Sequence, residues 1–192
     1  AYSTRQHSSD KYFGVTNYKG QAVFFKAGIS SIGSKKLDYE SFSIQKMPYN
    51  NSPVLLPISY RFVTECGTTI LLSELVPERF KIDTSDTLQN TYPFLDWSFH
   101  HSAYSSFEAL ANQNLPPDFS LKTLFNEAQS YGFGLDESVL VCPCHGDFMS
   151  NNLFVADGNV GLDYAIIDFE NYCDHAPILT DVVGLYLRAM ES

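Results

Sequence analysis

The stretch His145-Gly146-Asp147-Phe148-Met149-Ser150-Asn151-Asn152-Leu153-Phe154-Val155 is followed, after a short hairpin, by Ala165-Ile166-Ile167-Asp168-Phe169-Glu170-Asn171. Together they offer an acid in a loop, an amide side chain five residues on, and a second acid at the end of an apolar strand. Phosphoryl transfer needs that set. One carboxylate orients the attacking hydroxyl and accepts its proton. An Asn and an Asp oxygen hold Mg²⁺, a hard cation that prefers oxygen ligands. The metal bridges phosphate oxygens and neutralises the charge that develops on them. Asp and Asn also cap turns and end strands routinely. Three such features in the right order across a hairpin are much harder to obtain from turn chemistry alone.

Upstream, Lys11 to Tyr18 and Gln21 to Ala27 read as two strands joined by a Lys19-Gly20 turn. A Gly/Ser stretch, Gly28 to Ser34, breaks the pattern. Leu37 to Met47 then reads as a helix, stopped by Pro48 and Asn50-Asn51. Val54 to Val63 and Thr68 to Leu75 are expected as strands around Cys66-Gly67, so the first block is β-β-α-β-β, closed by Val76-Pro77. The middle reads as helical. Phe94 to Gln113 carries a rough apolar stripe, and Leu121 to Tyr131 a second, separated by Pro116-Pro117. Three short strands follow, Val139 to Cys142, Asn152 to Val155 and Tyr164 to Ile167, the last two around Asp157-Gly158-Asn159. Ile178 to Met190 reads as a final helix.

The pattern His145-Gly146-Asp147 with Asn152, then Ile167-Asp168-Phe169-Glu170, resembles the signature of the aminoglycoside phosphotransferase and choline kinase superfamily. The interval from Asp147 to Asn152 equals that of the protein-kinase catalytic loop. The Asp-Phe-Glu form is similar to that of choline kinases in particular. The resemblance implies an α+β, two-lobed protein kinase-like fold. Residues 1–76 would form a small antiparallel-sheet, nucleotide-binding N-terminal lobe, and residues 77–192 a mostly helical C-terminal lobe with the catalytic and metal loops. It implies ATP and Mg²⁺ as cofactors and a small-molecule hydroxyl as acceptor, in an amino alcohol, aminoglycoside or sugar. Asp147 would be the catalytic aspartate, Asn152 and Asp168 the metal ligands, and Asp181 a buttress of the catalytic loop, with His145 bracing that loop. Lys26 would be the phosphate-binding lysine, Glu40 its ion-pair partner, and Glu74 to Val76 the hinge that meets the base. Two departures stand out. Gln6 to Asp10, with Ser8-Ser9, occupies the place of a glycine-rich loop, and the preceding strand is squeezed into Ala1 to Arg5 or absent. The chain also ends soon after Asp181, where these kinases continue with further helices, so a truncated version is expected. The alternative of a different class is a catalytically inactive pseudokinase or interaction module on the same fold.

Composition agrees with a globular protein of 192 residues, 44% hydrophobic and 15% aromatic. Twelve Lys+Arg against 22 Asp+Glu give a net charge of −10. No basic patch is present, so a nucleic-acid partner is not expected. No apolar run nears the roughly 20 residues of a membrane span, and a cytoplasmic location is expected. Asp96, Trp97 and Tyr104 are candidate lining for a cationic acceptor, although core packing explains the aromatics equally well. Glu170 reads as either structural or substrate-facing. Cys142, Cys144, His145, Cys173 and His175 are metal-ligand types in one stretch. Pro143 stiffens the gap, Cys142 and Cys144 are expected on opposite sides of a strand, and free thiols are the preferred reading.

Overall fold

The computed structural model describes residues 6–7, 10–47, 54–82, 88–111, 129–132, 134, 136–148, 150–156 and 164–191. The N-terminal half is an antiparallel five-stranded sheet, β1 (Gln6–His7), β2 (Lys11–Tyr18), β3 (Gln21–Gly28), β4 (Ser59–Val63) and β5 (Thr69–Glu74), in the order β1-β2-β3-β5-β4. Lys19 (φ 51°) and Gly20 (φ 87°) are both left-handed, the geometry that lets a two-residue turn follow the twist of its strands. They close β2 on β3 from Tyr18↔Gln21 to Lys11↔Gly28. Among the described residues β1 pairs Gln6 with Phe13 and His7 with Tyr12, while Ala1 to Arg5, where a first strand was expected or absent, lie outside them.

Helix α1 (Ser31–Lys46) starts six residues before the expected Leu37. Its N-cap is Ser30, whose hydroxyl accepts the Gly33 amide at 3.0 Å. The Gly/Ser composition hid this turn because the helix needs a glycine there. A Cβ on Gly33 would lie 1.9 Å from the Asp10 carbonyl oxygen. Asp10 also accepts the Ile29 amide through that carbonyl at 2.8 Å and pairs with Lys36 at 3.1 Å. The start of β2 is thereby clamped to the first turns of α1. Leu37 is fully buried, and Ile44 and Met47 continue the inward face.

Three other expectations change. Val54 to Ile58 is not a strand. Pro57 has no N–H to give a ladder, and Leu55 instead makes a single parallel bridge to Ala165, taking the Ile166 amide and donating to the Tyr164 carbonyl. The helix expected over Phe94 to Gln113 is α2 (Leu88–His100), which contains Pro93, followed by strand β7 (Ala103–Ser106) and the short α3 (Phe107–Ala111). β7 pairs with β8 (Ser138–Cys144) from Ala103↔Val141 to Ser106↔Ser138, so sheet pairing overrides the local stripe. Strands β6 (Phe80–Ile82) and β11 (Cys173–Pro177) were not expected. They complete two three-stranded antiparallel sheets, β10-β9-β6 and β11-β8-β7, with β9 (Leu153–Ala156) and β10 (Tyr164–Ile166). Helix α4 (Thr180–Glu191) closes the described chain. The helix expected over Leu121 to Tyr131 and the Asp157-Gly158-Asn159 turn fall largely outside the described residues. No helix among them is long and apolar enough to cross a membrane.

One core joins the two halves. Ile44 and Met47 of α1, Val54 and Leu56, and Phe94 and Trp97 of α2 pack with Phe148, Leu153, Ile166, Phe169 and Tyr172. The motif stretch therefore supplies its own anchors, with Phe148 and Phe169 both buried beside the polar residues they flank.

The Gly33 contact sets a sign that helix propensity alone would reverse. Ala is favoured over Gly inside a helix by about 1 kcal/mol. Overpacking against an immovable backbone carbonyl costs about 1–3 kcal/mol. Gly33→Ala should therefore lower the unfolding free energy measured in urea, and an increase would refute the close approach of α1 to Asp10.

Candidate active site

The motif loop runs from the end of β8 to the start of β9. Asp181, near the start of α4 and 4% exposed, accepts the His145 amide at 2.7 Å and the Gly146 amide at 2.8 Å. Burial pushes its carboxyl upward, and these two amides work against that shift by favouring the anion. His145 is fully buried. Its Nδ1 accepts the Asp147 amide at 3.3 Å, which makes Nε2 the protonated nitrogen, donating to the Ile167 carbonyl at 2.8 Å. Both ring nitrogens are thus used in bracing the loop against the Asp168 segment. The ring also packs edge-on to Phe169 at 4.8 Å. Gly146 (φ 78°) can only be glycine, because a Cβ would lie 2.1 Å from the Asn171 carbonyl oxygen.

Asn152 is buried at the end of the 3₁₀ turn Ser150–Asn152. Its Nδ2 donates to the Asp147 carbonyl at 3.0 Å, and its own carbonyl accepts the Ile167 amide at 3.1 Å. The first bond commits the amide nitrogen and leaves Oδ1 as the side chain's acceptor, which is what a hard cation takes. The second ties the Asn152 turn to the residue before Asp168. Asp168 itself is left-handed (φ 69°, ψ 58°) ahead of the 3₁₀ turn Phe169–Asn171. A non-glycine residue pays for that conformation and keeps it where its surroundings hold it.

What holds it is charge from the other half of the molecule. Lys26 of β3 places its ammonium 2.7 and 2.8 Å from the two carboxylate oxygens of Glu40 on α1, and 2.5 Å from Asp168 Oδ1. Burial works against the Lys26 ammonium, but Glu40 and Asp168 outweigh it and hold its pKa above that of an ordinary lysine. Burial likewise pushes the Asp168 carboxyl up, yet Lys26, and more weakly Lys11, bring it net below the usual carboxylate range. Glu40 is raised by burial against the pull of Lys26. Glu40, Asp168 and Glu170 bring carboxylate oxygens within 4.8 Å of one another, a donor set of the type that holds a cation.

A cavity of about 350 Å³ opens beside this trio, within the range of small-molecule sites. Lys26, Glu40 and Asp168 line it, together with Ser73 to Val76 and with Phe24, Ile44, Phe154 and Phe169. Glu74 and Val76 thus line the same cavity as Lys26. Phe24 and Phe154 were not singled out in the sequence. Phe154 lies two residues after Asn152 inside the motif, a signal that was available. Lys11 was also missed. Its side chain meets Glu170 across 159 residues of chain, a separation that leaves no local pattern.

Asp96, Trp97 and Tyr104 do not converge on one pocket. Trp97 packs against Phe94 in the core, Tyr104 is exposed on β7, and Asp96 faces Tyr92 and His100 on the surface of α2. The expectation for Cys142 and Cys144 is also corrected. Residues two apart on a strand share a face, and the two buried sulfurs lie 3.6 Å apart, packed with Cys173 and Ala176. All four cysteines are free thiols, with Cys66 exposed.

No family model matches the sequence, and no curated protein matches it. Solved structures do. A thermostable mutant of the aminoglycoside phosphotransferase APH(4)-Ia, in apo form, superposes over 97% of this chain and 72% of its own, at 12% identity and TM-score 0.61. A mutant of aminoglycoside 2′-phosphotransferase-IIIa in complex with GDP matches over 96% and 70%, at 18% identity and TM-score 0.61. The choline kinase LicA from Streptococcus pneumoniae matches over 97% and 68%, at 13% identity and TM-score 0.54. The chain therefore shares the two-lobed, kinase-like α+β fold of the aminoglycoside phosphotransferase and choline kinase structures.

Proposed function

We propose that the protein is a small-molecule kinase that transfers the γ-phosphoryl group of ATP to a hydroxyl of a small acceptor in a Mg²⁺-dependent reaction. The observation that carries this reading is the meeting of Lys26, Glu40 and Asp168, from three separate segments, at one cavity, with the Asp168 segment tied to the Asn152 turn through the Ile167 amide. In this reading Ser73 to Val76 present backbone to the base, and Phe24 and Phe154 give it apolar surface. Lys26, oriented by Glu40, turns from Asp168 to the phosphates. Asn152 Oδ1 and the Asp168 carboxylate hold Mg²⁺, which when bound offsets phosphate charge. Asp147 orients the acceptor hydroxyl and takes its proton, while His145 and Asp181 keep the loop in place. One structural neighbour is a GDP complex, which supports a nucleotide in the cavity and makes GTP the natural competitor to ATP. The neighbours include both aminoglycoside and choline enzymes, so an acceptor panel of choline-like, aminoglycoside and sugar alcohols is the direct test of substrate class.

A ligand that binds only the folded state stabilises it by about 2.7 kcal/mol at a hundred times its Kd. For a chain of this size that is a rise of roughly 5–10 °C in melting temperature. Mg²⁺-ATP should produce such a rise in thermal scans, and ATP without metal much less. A flat response at millimolar Mg²⁺-ATP would favour the inactive module instead.

The two carboxylates should separate in kinetics and binding. Asp147→Asn should cut turnover by about a hundredfold or more while leaving Mg²⁺-nucleotide affinity nearly intact. Asp168→Asn should weaken both. Unchanged turnover in both variants would refute the assignment.

A further inference from the structure

From the placement of the Lys11–Glu170 ion pair, we infer that Lys11 is a positioning residue that acts through Glu170 to hold the Asp168-Phe169-Glu170 turn in its metal-binding conformation; the inference rests on the phosphotransfer reading above. Lys11 is the first residue of β2, and Glu170 lies in the 3₁₀ turn directly after Asp168. Their side chains are 10% and 18% exposed, and the ammonium meets Glu170 Oε2. The pair therefore lies largely out of water, where removing one partner leaves an uncompensated charge.

Both ends are rigidly mounted. On the sheet side, Asp10 is held by α1 through Lys36 and through the close approach of Gly33, so the chain enters Lys11 from a clamped position. On the other side, Phe169 is buried beside Glu170, and the Tyr172 carbonyl accepts the Tyr39 hydroxyl of α1 at 2.7 Å. Glu170 is thus suspended between a core anchor and a charge that cannot drift.

Two lysines serve the three clustered carboxylates, and their tasks differ. Lys26 faces Glu40 and Asp168, and in the phosphotransfer reading it must leave Asp168 when a nucleotide arrives. Lys11 pairs with Glu170, its charge reaching Asp168 more weakly, and in the same reading it keeps that partner when a nucleotide arrives. The Lys11–Glu170 contact is therefore the tie that persists while Lys26 exchanges partners. It keeps the left-handed Asp168 from relaxing once its own lysine has gone. Glu170, left open by the sequence as structural or substrate-facing, is in this arrangement the lever through which Lys11 acts.

The experiment measures binding of a fluorescent ATP analogue as a function of Mg²⁺ in the wild type, Lys11→Met, Glu170→Gln, the two combined, and the exchanged pair Lys11→Glu with Glu170→Lys. Each single variant should need about tenfold more Mg²⁺ for half-saturation, as for other residues that orient a metal ligand. The combined variant should be no worse than either single, and the exchanged pair should recover at least part of the loss. Hydrogen–deuterium exchange in the metal-free protein should rise over residues 166–172 in Lys11→Met. A lowered melting temperature with an unchanged Mg²⁺ requirement would overturn the inference and leave Lys11 a structural residue. If Lys11→Met does not fold, Glu170→Gln, a neutral near-isostere, decides by the same readout. A wild type that binds the analogue without any dependence on Mg²⁺, or not at all, overturns the phosphotransfer reading and this inference with it. A Mg²⁺-dependent wild type with indifferent variants overturns this inference alone.

Discussion

The Lys26 ammonium, held between the Glu40 and Asp168 carboxylates, is the contact on which the arrangement of the cavity depends. It joins β3, α1 and the turn after β10 at one point. A buried ammonium with one carboxylate would be neutral as a pair; with two it leaves residual negative charge, which favours a cation. The same contact explains how Asp168 keeps a left-handed backbone without being glycine. The neighbouring strand and the core fix the residues on either side of it, and the lysine holds its side chain.

Around that contact the loop is over-determined. Asp181 takes two successive amides, His145 spans from the Asp147 amide to the Ile167 carbonyl, and Asn152 bonds back to Asp147 and forward to Ile167. Each of these residues uses its hydrogen bonds inward. Asn152 Oδ1 takes no part in these bonds. A loop built this way has its geometry set before any ligand arrives, which is where positioned charge is most effective. The apolar side is set as firmly, since Phe148 and Phe169 belong to the core that also contains Ile44 and Met47 of α1.

The three buried thiols of β8 and β11 lie on the other side of this bracing. Cys142, Cys144 and Cys173 pack with Ala176, and Cys173 stands opposite Cys144 in the ladder. His145, one of the two histidines that could complete a metal set with them, has both ring nitrogens committed within the loop. The cysteines act here as small apolar residues that fill the space between two strands.

The order of the motif residues was legible in the sequence. His145-Gly146-Asp147, Asn152 and Asp168 are close in the chain, and their spacing is a local property that survives without coordinates. The β2–β3 hairpin was legible for the same reason, since Lys19-Gly20 suits its turn. What local reading missed was decided by distant partners. Helix α1 starts at Ser31 because Ser30 caps it, and it carries Gly33 because the Asp10 carbonyl leaves no room for a Cβ. Ala103–Ser106 is a strand because β8 offers it an edge, not because its own residues demand one. Leu55 bridges to Ala165, 110 residues away. Lys26 and Glu40 were readable as candidates, but their convergence with Asp168 required β3 and α1 to be laid against the turn after β10. Glu170 was singled out by its place after Asp168, but its pairing with Lys11 had no signal at all. Charge pairing acts through space, and a separation of 159 residues carries no periodicity that a sequence can display.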